Sequence, residues 1–98
     1  PASLGGHDTP PAQIALALET LAQADASAAW CLMIGATTGA LANRLPAGVA
    51  REVFGDPGVI AAGVFAPMGQ AVDDGDCWKV TGRWQWGSGS QNANWIAG

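Results

Sequence analysis

Positive charge and histidine are scarce in this sequence. The 98 residues include four basic side chains, one histidine and no tyrosine, and the formal net charge is −4. A chain with so few cations has no basic patch for nucleic acid or an anionic membrane, so neither is an expected partner. The longest apolar region, 26–45, is interrupted by polar residues and rich in alanine and glycine. It is therefore too weak for a membrane-spanning helix.

The shortage of histidine and cysteine also limits metal and nucleophilic chemistry. His7 stands in a glycine-containing segment without the cysteine or carboxylate cluster of a metal site, so no metal site is predicted. Cys31 and Cys77 lie in different kinds of segment and are expected to be reduced, buried thiols. Ser88 stands in a Gly-Ser-Gly sequence, but its only possible histidine base is the remote His7, which argues against a serine hydrolase.

Three helices are predicted in the first half of the chain, where hydrophobic residues are frequent. Thr9 precedes two prolines and is expected to cap a first, amphipathic helix. Asp25 or Ser27 is expected to cap a second helix over 28–45, which is apolar or small on nearly every face. Such a helix is normally buried between other elements. Pro46 opens a third, short helix.

Glycines inside the second helix suggest tight packing. Gly35 and Gly39 are one turn apart, and each costs about 1 kcal/mol of helix propensity relative to alanine. We therefore expect both to mark close contact with a neighbouring element. Glycine, aspartate and proline cluster at 55–58, where we expect the helical layer to end.

The second half of the chain predicts strands. Residues 59–65 form a short apolar run between turn residues, which suits a strand covered on both faces. A turn at 73–76 indicates a hairpin whose second strand runs on through Trp84 and Trp86, with both rings on one face. A last strand is expected to begin near Trp95. Helices followed by strands predict an α+β fold with antiparallel pairing.

The most informative stretch, 82–95, reads GRWQWGSGSQNANW. A flat heteroaromatic ligand needs an apolar wall for its faces, donors for its edge atoms, and small residues that let the backbone approach. Trp86 would provide the wall, Ser88 the donor, and Gly87 and Gly89 the approach. The alternative is that both tryptophans are core aromatics and the glycine-serine run is a loose loop.

Across nearly its whole length the chain resembles the central part of the acyl-CoA dehydrogenase superfamily. The resemblance is carried by four segments in the family's order: LGG at 4–6, LETLAQADASAAW at 18–30, GVFAPMGQA at 63–71 and VTGRWQWGSGSQNANWIAG at 80–98. Members are flavoproteins with an N-terminal helical domain, a β-barrel-like middle domain and a C-terminal helical bundle. The resemblance implies that the chain is a fragment, with 1–56 ending the helical domain and 57–98 beginning the middle β domain.

The same resemblance implies a set of cofactor-binding residues for FAD. Val64, Phe65 and Ala66 would place backbone groups at the pyrimidine edge of the flavin. Trp86 would flank the isoalloxazine, and Ser88 would hydrogen-bond near flavin N5. The catalytic residues remain unknown, because the family's base would lie outside this fragment.

The function implied by the resemblance is α,β-dehydrogenation of an acyl-CoA thioester, with hydride transfer to flavin N5. The chain departs from the family at Ala71, where many dehydrogenases have a serine near the acyl-CoA phosphates. Its pattern is similar to a branch that includes two-component monooxygenases, which take reduced FMN or FAD as co-substrate and an aromatic or polycyclic substrate. A non-catalytic small α+β domain is the third possibility. The resemblance further implies a cytoplasmic homo-oligomer, a tetramer at full length.

Overall fold

Helices occupy the first half of the chain and strands the second, in a computed structural model that describes residues Pro1–Gly98. The helices are α1 (Pro11–Ala24), α2 (Ala26–Gly39) and α3 (Ala47–Phe54). The strands are β1 (Ala61–Gly63), β2 (Gly69–Asp73), β3 (Trp78–Gly82) and β4 (Trp95–Ala97). Single turns of 3-10 helix lie at Ala2–Leu4, Ala40–Arg44 and Ser90–Asn92. The predicted α+β class is confirmed.

The starts of α1 and α2 differ in how their free amides are satisfied. Pro10 occupies the cap position of α1 and no side chain caps the helix, so the predicted cap by Thr9 is wrong. Two consecutive prolines fix the backbone there and leave fewer amide groups in need of a partner. Asp25 caps α2, because its Oδ1 accepts hydrogen bonds from the amides of Ser27 and Ala28 at 2.9 and 3.0 Å. That prediction is confirmed.

Helix α2 is shorter and more exposed than its apolar sequence suggests. It ends at Gly39 and continues as a 3-10 turn, and within it only Ala29 and Thr38 are buried. Trp30 and Leu32 are each more than half exposed. The prediction that the whole helix is buried is therefore wrong, because α1 and β1 pack against α2 but leave much of its surface uncovered.

Both cysteines are free thiols, as expected, but neither is buried. Cys31 lies on an exposed part of α2, and Cys77 lies in the turn of the hairpin, where every neighbouring residue is exposed. The predicted burial is wrong for the same reason as in α2: an apolar side chain is buried only where another element covers it. None of the helices has the length and apolar character that crossing a bilayer requires.

The small core lies where α2 packs on β1. All three residues of β1 are buried, which confirms the predicted covered strand for the middle of 59–65. The prediction is wrong for the ends of that run, because Ile60 and Phe65 lie outside the strand and are exposed. A Cβ built at Gly35 would lie 3.8 Å from the carbonyl oxygen of Ala61, so this glycine does mark a contact with β1, at an ordinary van der Waals distance. A Cβ at Gly39 would meet nothing within 4 Å, and the same prediction is wrong for this residue.

The strands form two separate two-stranded sheets, of which only one is antiparallel. β2 pairs antiparallel with β3, as a hairpin with Gly69 opposite Gly82. β1 pairs with β4 in parallel, with Ala61 opposite Trp95. The antiparallel expectation therefore fails for this pair, since the whole hairpin and the loop after it intervene and bring the chain back in the direction of β1.

Side chains fix both sheets at their ends. Asn94 joins the start of β1 to the start of β4 through two hydrogen bonds with Ile60. Its side-chain Oδ1 accepts from the backbone amide of Ile60 at 2.8 Å, and its backbone amide donates to the Ile60 carbonyl at 2.8 Å. In the hairpin turn, the Asp73 carboxylate accepts from the amide of Gly75, whose φ is 83°. The turn predicted at 73–76 is thus confirmed.

Candidate functional site

The loop between β3 and β4 forms the candidate site, and it is a compact turn held by its own backbone. The amide of Ser88 donates to the carbonyl of Trp86 at 2.7 Å, and the amide of Ser90 donates to the carbonyl of Gly87 at 3.1 Å. Gly89 has a φ of 76°, in the left-handed region that glycine adopts without strain. The glycine-serine run is therefore an ordered turn and not a loose loop.

Trp84 and Trp86 lie outside any strand, because β3 already ends at Gly82. Trp86 has a φ of 62°, so the chain turns sharply there. The prediction that both rings lie on one face of one strand is wrong. Strict alternation of tryptophan with polar residues is typical of a strand, but the glycines that follow allow the chain to leave the sheet.

Trp84 packs against two glycines of the hairpin and against the glycine that follows β4. A Cβ added at Gly82 would come within 2.6 Å of the Trp84 ring, and one at Gly98 would come within 2.8 Å. A Cβ at Gly69 would also clash with the same ring. The ring thus occupies space that only glycine leaves free, and it connects the hairpin to the end of β4. Trp84 is a packing residue.

Trp86, by contrast, has 91% of its surface exposed. No other part of the chain covers either face of its indole ring. A large aromatic in a strained backbone position with an uncovered face is a typical feature of a ligand-binding surface. Its placement agrees with the wall for a flat ring that the sequence suggested.

Ser88 forms the one side-chain bond that links this turn to the helical layer. The indole Nε1 of Trp30, on α2, donates a hydrogen bond to Ser88 Oγ at 2.9 Å, across 58 residues of sequence. Ser88 is half-buried, and its hydroxyl proton is donated to no other group of the protein. The hydroxyl therefore keeps its donor capacity for a ligand.

The turn meets the end of β1, where the other predicted residues lie. A Cβ at Gly87 would be 3.7 Å from Cγ2 of Val64, so the Val64 side chain lies against this turn. The Val64 amide is already bonded beside the β1–β4 sheet, where it donates to the Ala97 carbonyl at 2.9 Å. Beyond it, Phe65 and Ala66 are exposed, and neither amide donates to a protein group.

The structure thus brings together Val64 and the turn that carries Ser88, and leaves Phe65, Ala66 and Trp86 exposed at the surface. Unused amide donors, a hydroxyl donor and an open aromatic face are the kinds of group that bind a flat ring with polar edge atoms, such as the isoalloxazine of a flavin. Residues 84–94 include no charged side chain. They suit the ring system of such a cofactor, and any phosphate groups would need cations from elsewhere.

Sequence reasoning missed Trp30 as a site residue. It is the single aromatic residue of α2 and the largest side chain there, which is a weak signal for a special position. Its partner, however, is 58 residues away, and nothing in the local pattern of either segment indicates the pairing. Asn94 was missed for the same reason, since its bond to Ile60 joins residues 34 apart.

The chain is similar to two known proteins whose names describe oxidoreductases, one a monooxygenase and one a hydroxylase. It is 33% identical over 96 residues to indole-3-acetate monooxygenase from Pseudomonas putida, an alignment that covers 96% of this chain and 24% of the relative. It is 47% identical over 49 residues to a pigment production hydroxylase from Rhodococcus sp., covering 47% of this chain and 12% of that protein. The chain thus spans about a quarter of the length of the first relative. No protein-family model and no solved structure matches the chain.

Both names describe a monooxygenase or hydroxylase, and neither names the acyl-CoA dehydrogenases. The similarity to the Pseudomonas putida protein extends over almost the whole chain, so it includes α2, the end of β1 and the turn with Ser88. The chain is therefore related to oxidoreductases that are named as a monooxygenase and a hydroxylase.

Proposed function

We propose that this chain is part of a flavin-dependent monooxygenase that hydroxylates an aromatic substrate, with reduced FMN or FAD as its co-substrate. The observation that carries this proposal is the similarity, over 96 residues, to a protein named indole-3-acetate monooxygenase. The site geometry supports it, because the exposed indole of Trp86 and the free donors around Ser88 suit a flat, polar-edged ring.

The residues of the chain would act on the flavin by binding and orientation. Trp86 would cover one face of the ring, and Ser88 would donate its hydroxyl proton to an edge atom. The unused amides of Phe65 and Ala66 would donate to acceptors on the pyrimidine side. When bound, reduced flavin supplies the two electrons with which O₂ places one oxygen atom in the substrate and the other in water.

Dehydrogenation of an acyl-CoA thioester by bound FAD is the second candidate, supported by the resemblance of the four segments described above. Ala71 weakens it. This residue lies in the middle of β2 opposite Val80, and both side chains are exposed and apolar. The position where many dehydrogenases have a phosphate-contacting serine therefore has no hydroxyl to donate.

The experiment that separates the two candidates uses the full-length protein. It would be mixed with NADH, a flavin reductase, FMN or FAD, indole-3-acetate and ¹⁸O₂, and the products would be examined by mass spectrometry. We expect one labelled oxygen atom in the product. A reaction without reduced flavin, and one with catalase to remove free peroxide, are the controls.

A negative result has a defined meaning. If no labelled oxygen enters any of a panel of aromatic acids, while acyl-CoA thioesters bleach the bound flavin under anaerobic conditions, the monooxygenase proposal is wrong and the dehydrogenase is correct. If the protein binds neither oxidised nor reduced flavin, both candidates fail and a non-catalytic domain remains.

A further inference from the structure

We propose that Trp30 is a positioning residue that holds the Ser88 hydroxyl as a hydrogen-bond donor toward the bound flavin. The inference rests on the proposed flavin-dependent function and extends it to a helix that the cofactor-binding residues do not include. Its basis is the hydrogen bond of 2.9 Å from Trp30 Nε1 to Ser88 Oγ.

The direction of this bond is fixed by chemistry. An indole nitrogen is a donor only, whereas a serine hydroxyl has one proton to donate and lone pairs that accept. Ser88 must therefore be the acceptor, and its own proton must lie away from the indole. Because no other protein group receives that proton, it is available to an acceptor on a ligand. Accepting a bond also polarises the hydroxyl and strengthens it as a donor.

Trp30 is well placed to hold an orientation. It is the fifth residue of α2, one turn beyond the cap by Asp25, and α2 packs directly on β1. The end of β1 in turn contacts the loop through Val64 and Gly87. Helix, strand end and turn therefore form one connected frame around Ser88, and a displacement of the hydroxyl would have to break a contact within it.

Packing alone does not explain Trp30. The residue is 56% exposed, so more than half of its surface is covered by nothing in this chain. The polar end of the ring is the part with a defined partner. We therefore expect the N–H group, rather than the ring surface, to matter for flavin binding.

The test uses Trp30→Phe, Ser88→Ala and the double variant in the full-length protein. A net hydrogen bond of about 0.5 to 1.5 kcal/mol corresponds to a change of about two- to tenfold in affinity. We expect each single variant to raise the dissociation constant for flavin by that factor. We also expect both single variants to shift the reduction potential of the bound flavin, and the two shifts should have the same sign. The double variant should be no worse than Ser88→Ala, because both changes remove the same interaction.

A second readout needs no flavin. In the free protein, the ¹H–¹⁵N signal of the Trp30 indole should show slow exchange with water and should move in Ser88→Ala. Trp78→Phe is the matched control, since Trp78 is an exposed tryptophan of the hairpin whose indole nitrogen makes no hydrogen bond. It should leave flavin affinity unchanged. If Trp30→Phe lowers the melting temperature, an analogue with sulfur in place of the indole N–H keeps the shape and removes the donor.

The outcomes are distinct. If the wild-type protein binds flavin and Trp30→Phe or the sulfur analogue leaves affinity and potential unchanged, the inference about Trp30 is wrong and the proposed function stands. Additive effects in the double variant would also overturn it, because Trp30 would then act independently of Ser88. If the wild-type protein binds no flavin, the proposed function itself fails, and the inference fails with it.

Discussion

At the scale of single residues, Trp84 and Trp86 are two positions apart and have opposite surroundings. The Trp84 ring fills space left free by three glycines: Gly69, Gly82 and Gly98. Trp86 stands in the left-handed region of φ with its ring uncovered. A backbone position that is strained for a bulky residue and gains nothing in packing indicates a function other than stability.

Substituting the two tryptophans should therefore have separable effects. Trp86→Ala should change the free energy of unfolding by no more than about 0.5 kcal/mol, as exposed positions do, while weakening flavin binding. Trp84→Ala should lower the free energy of unfolding by at most about 3–5 kcal/mol, the cost of truncating a fully buried aromatic side chain. It should affect flavin binding only as far as it unfolds the loop. Thermal melts and flavin titrations of both variants check this. Equal loss of stability in both would contradict the assignment.

Sequence patterns located some of these residues and not others. The cap by Asp25 was predictable, because capping depends on residues two and three positions along the chain. The resemblance to a known family assigned Ser88 and the end of β1 to the same cofactor, and the structure places Val64 against the turn that carries Ser88. The bond from Trp30 did not follow from any local pattern, since its partner is remote in sequence. The turn at Trp86 was hidden because alternating residues suggested a strand.

At the scale of elements, the fold depends on the contact between α2 and β1. Thr38, near the end of α2, is 1% exposed and lies opposite Gly63. A Cβ at Gly63 would come within 2.9 Å of Thr38 Oγ1 and 3.5 Å of the Ala97 carbonyl oxygen. The helix, β1 and β4 therefore meet at a point where one additional methyl group does not fit.

Gly63→Ala should lower the free energy of unfolding by about 1–3 kcal/mol, the usual cost of overpacking a close contact. Gly39→Ala is the matched control, since a Cβ there meets nothing within 4 Å. It should be neutral or stabilising by up to about 1 kcal/mol through helix propensity. Urea unfolding of both variants measures the difference. A neutral Gly63→Ala would mean that α2 and β1 do not pack as closely as described.

Elements were more predictable than their pairing. Helices and strands follow from periodicity, proline and glycine, all of which act over a few residues. The parallel pairing of β1 with β4 depends on how residues 64–94 return the chain, and on the two bonds between Asn94 and Ile60. Neither is a local property, so the sequence pattern left this pairing undetermined and the antiparallel expectation failed.

At the scale of the whole molecule, few residues are buried and many large apolar side chains are exposed. Only seven of the 98 residues are buried, and the radius of gyration is 14.9 Å, against about 13 Å for a compact domain of 100 residues. Every residue of β2 and β3 is exposed. A hydrophobic composition of 49% favours a chain that is mostly buried, and this expectation is wrong for the structure, because few of its apolar side chains are covered by another element of the chain.

The face of the hairpin that carries Trp78 and Val80 is an example of exposed apolar surface. Trp78 and Val80 are two residues apart on β3 and therefore point to the same side, and they are 66% and 60% exposed. Val80 lies opposite Ala71, so the exposed side of this sheet is continuous. Exposed apolar faces of this kind bind hydrophobic dyes and promote association between copies.

The 98-residue chain expressed alone should therefore bind an apolar dye such as ANS strongly and self-associate as its concentration rises. Trp78→Thr combined with Val80→Thr should lower both signals, because threonine keeps strand propensity while removing the apolar surface. Gln70→Thr, on the opposite face of the hairpin, is the control and should change neither. Dye fluorescence and light scattering over a concentration series measure the effect, with circular dichroism to show that helix content is unchanged. A monomeric chain that melts cooperatively and binds no dye would show that its apolar side chains are covered in solution, contrary to the arrangement described here.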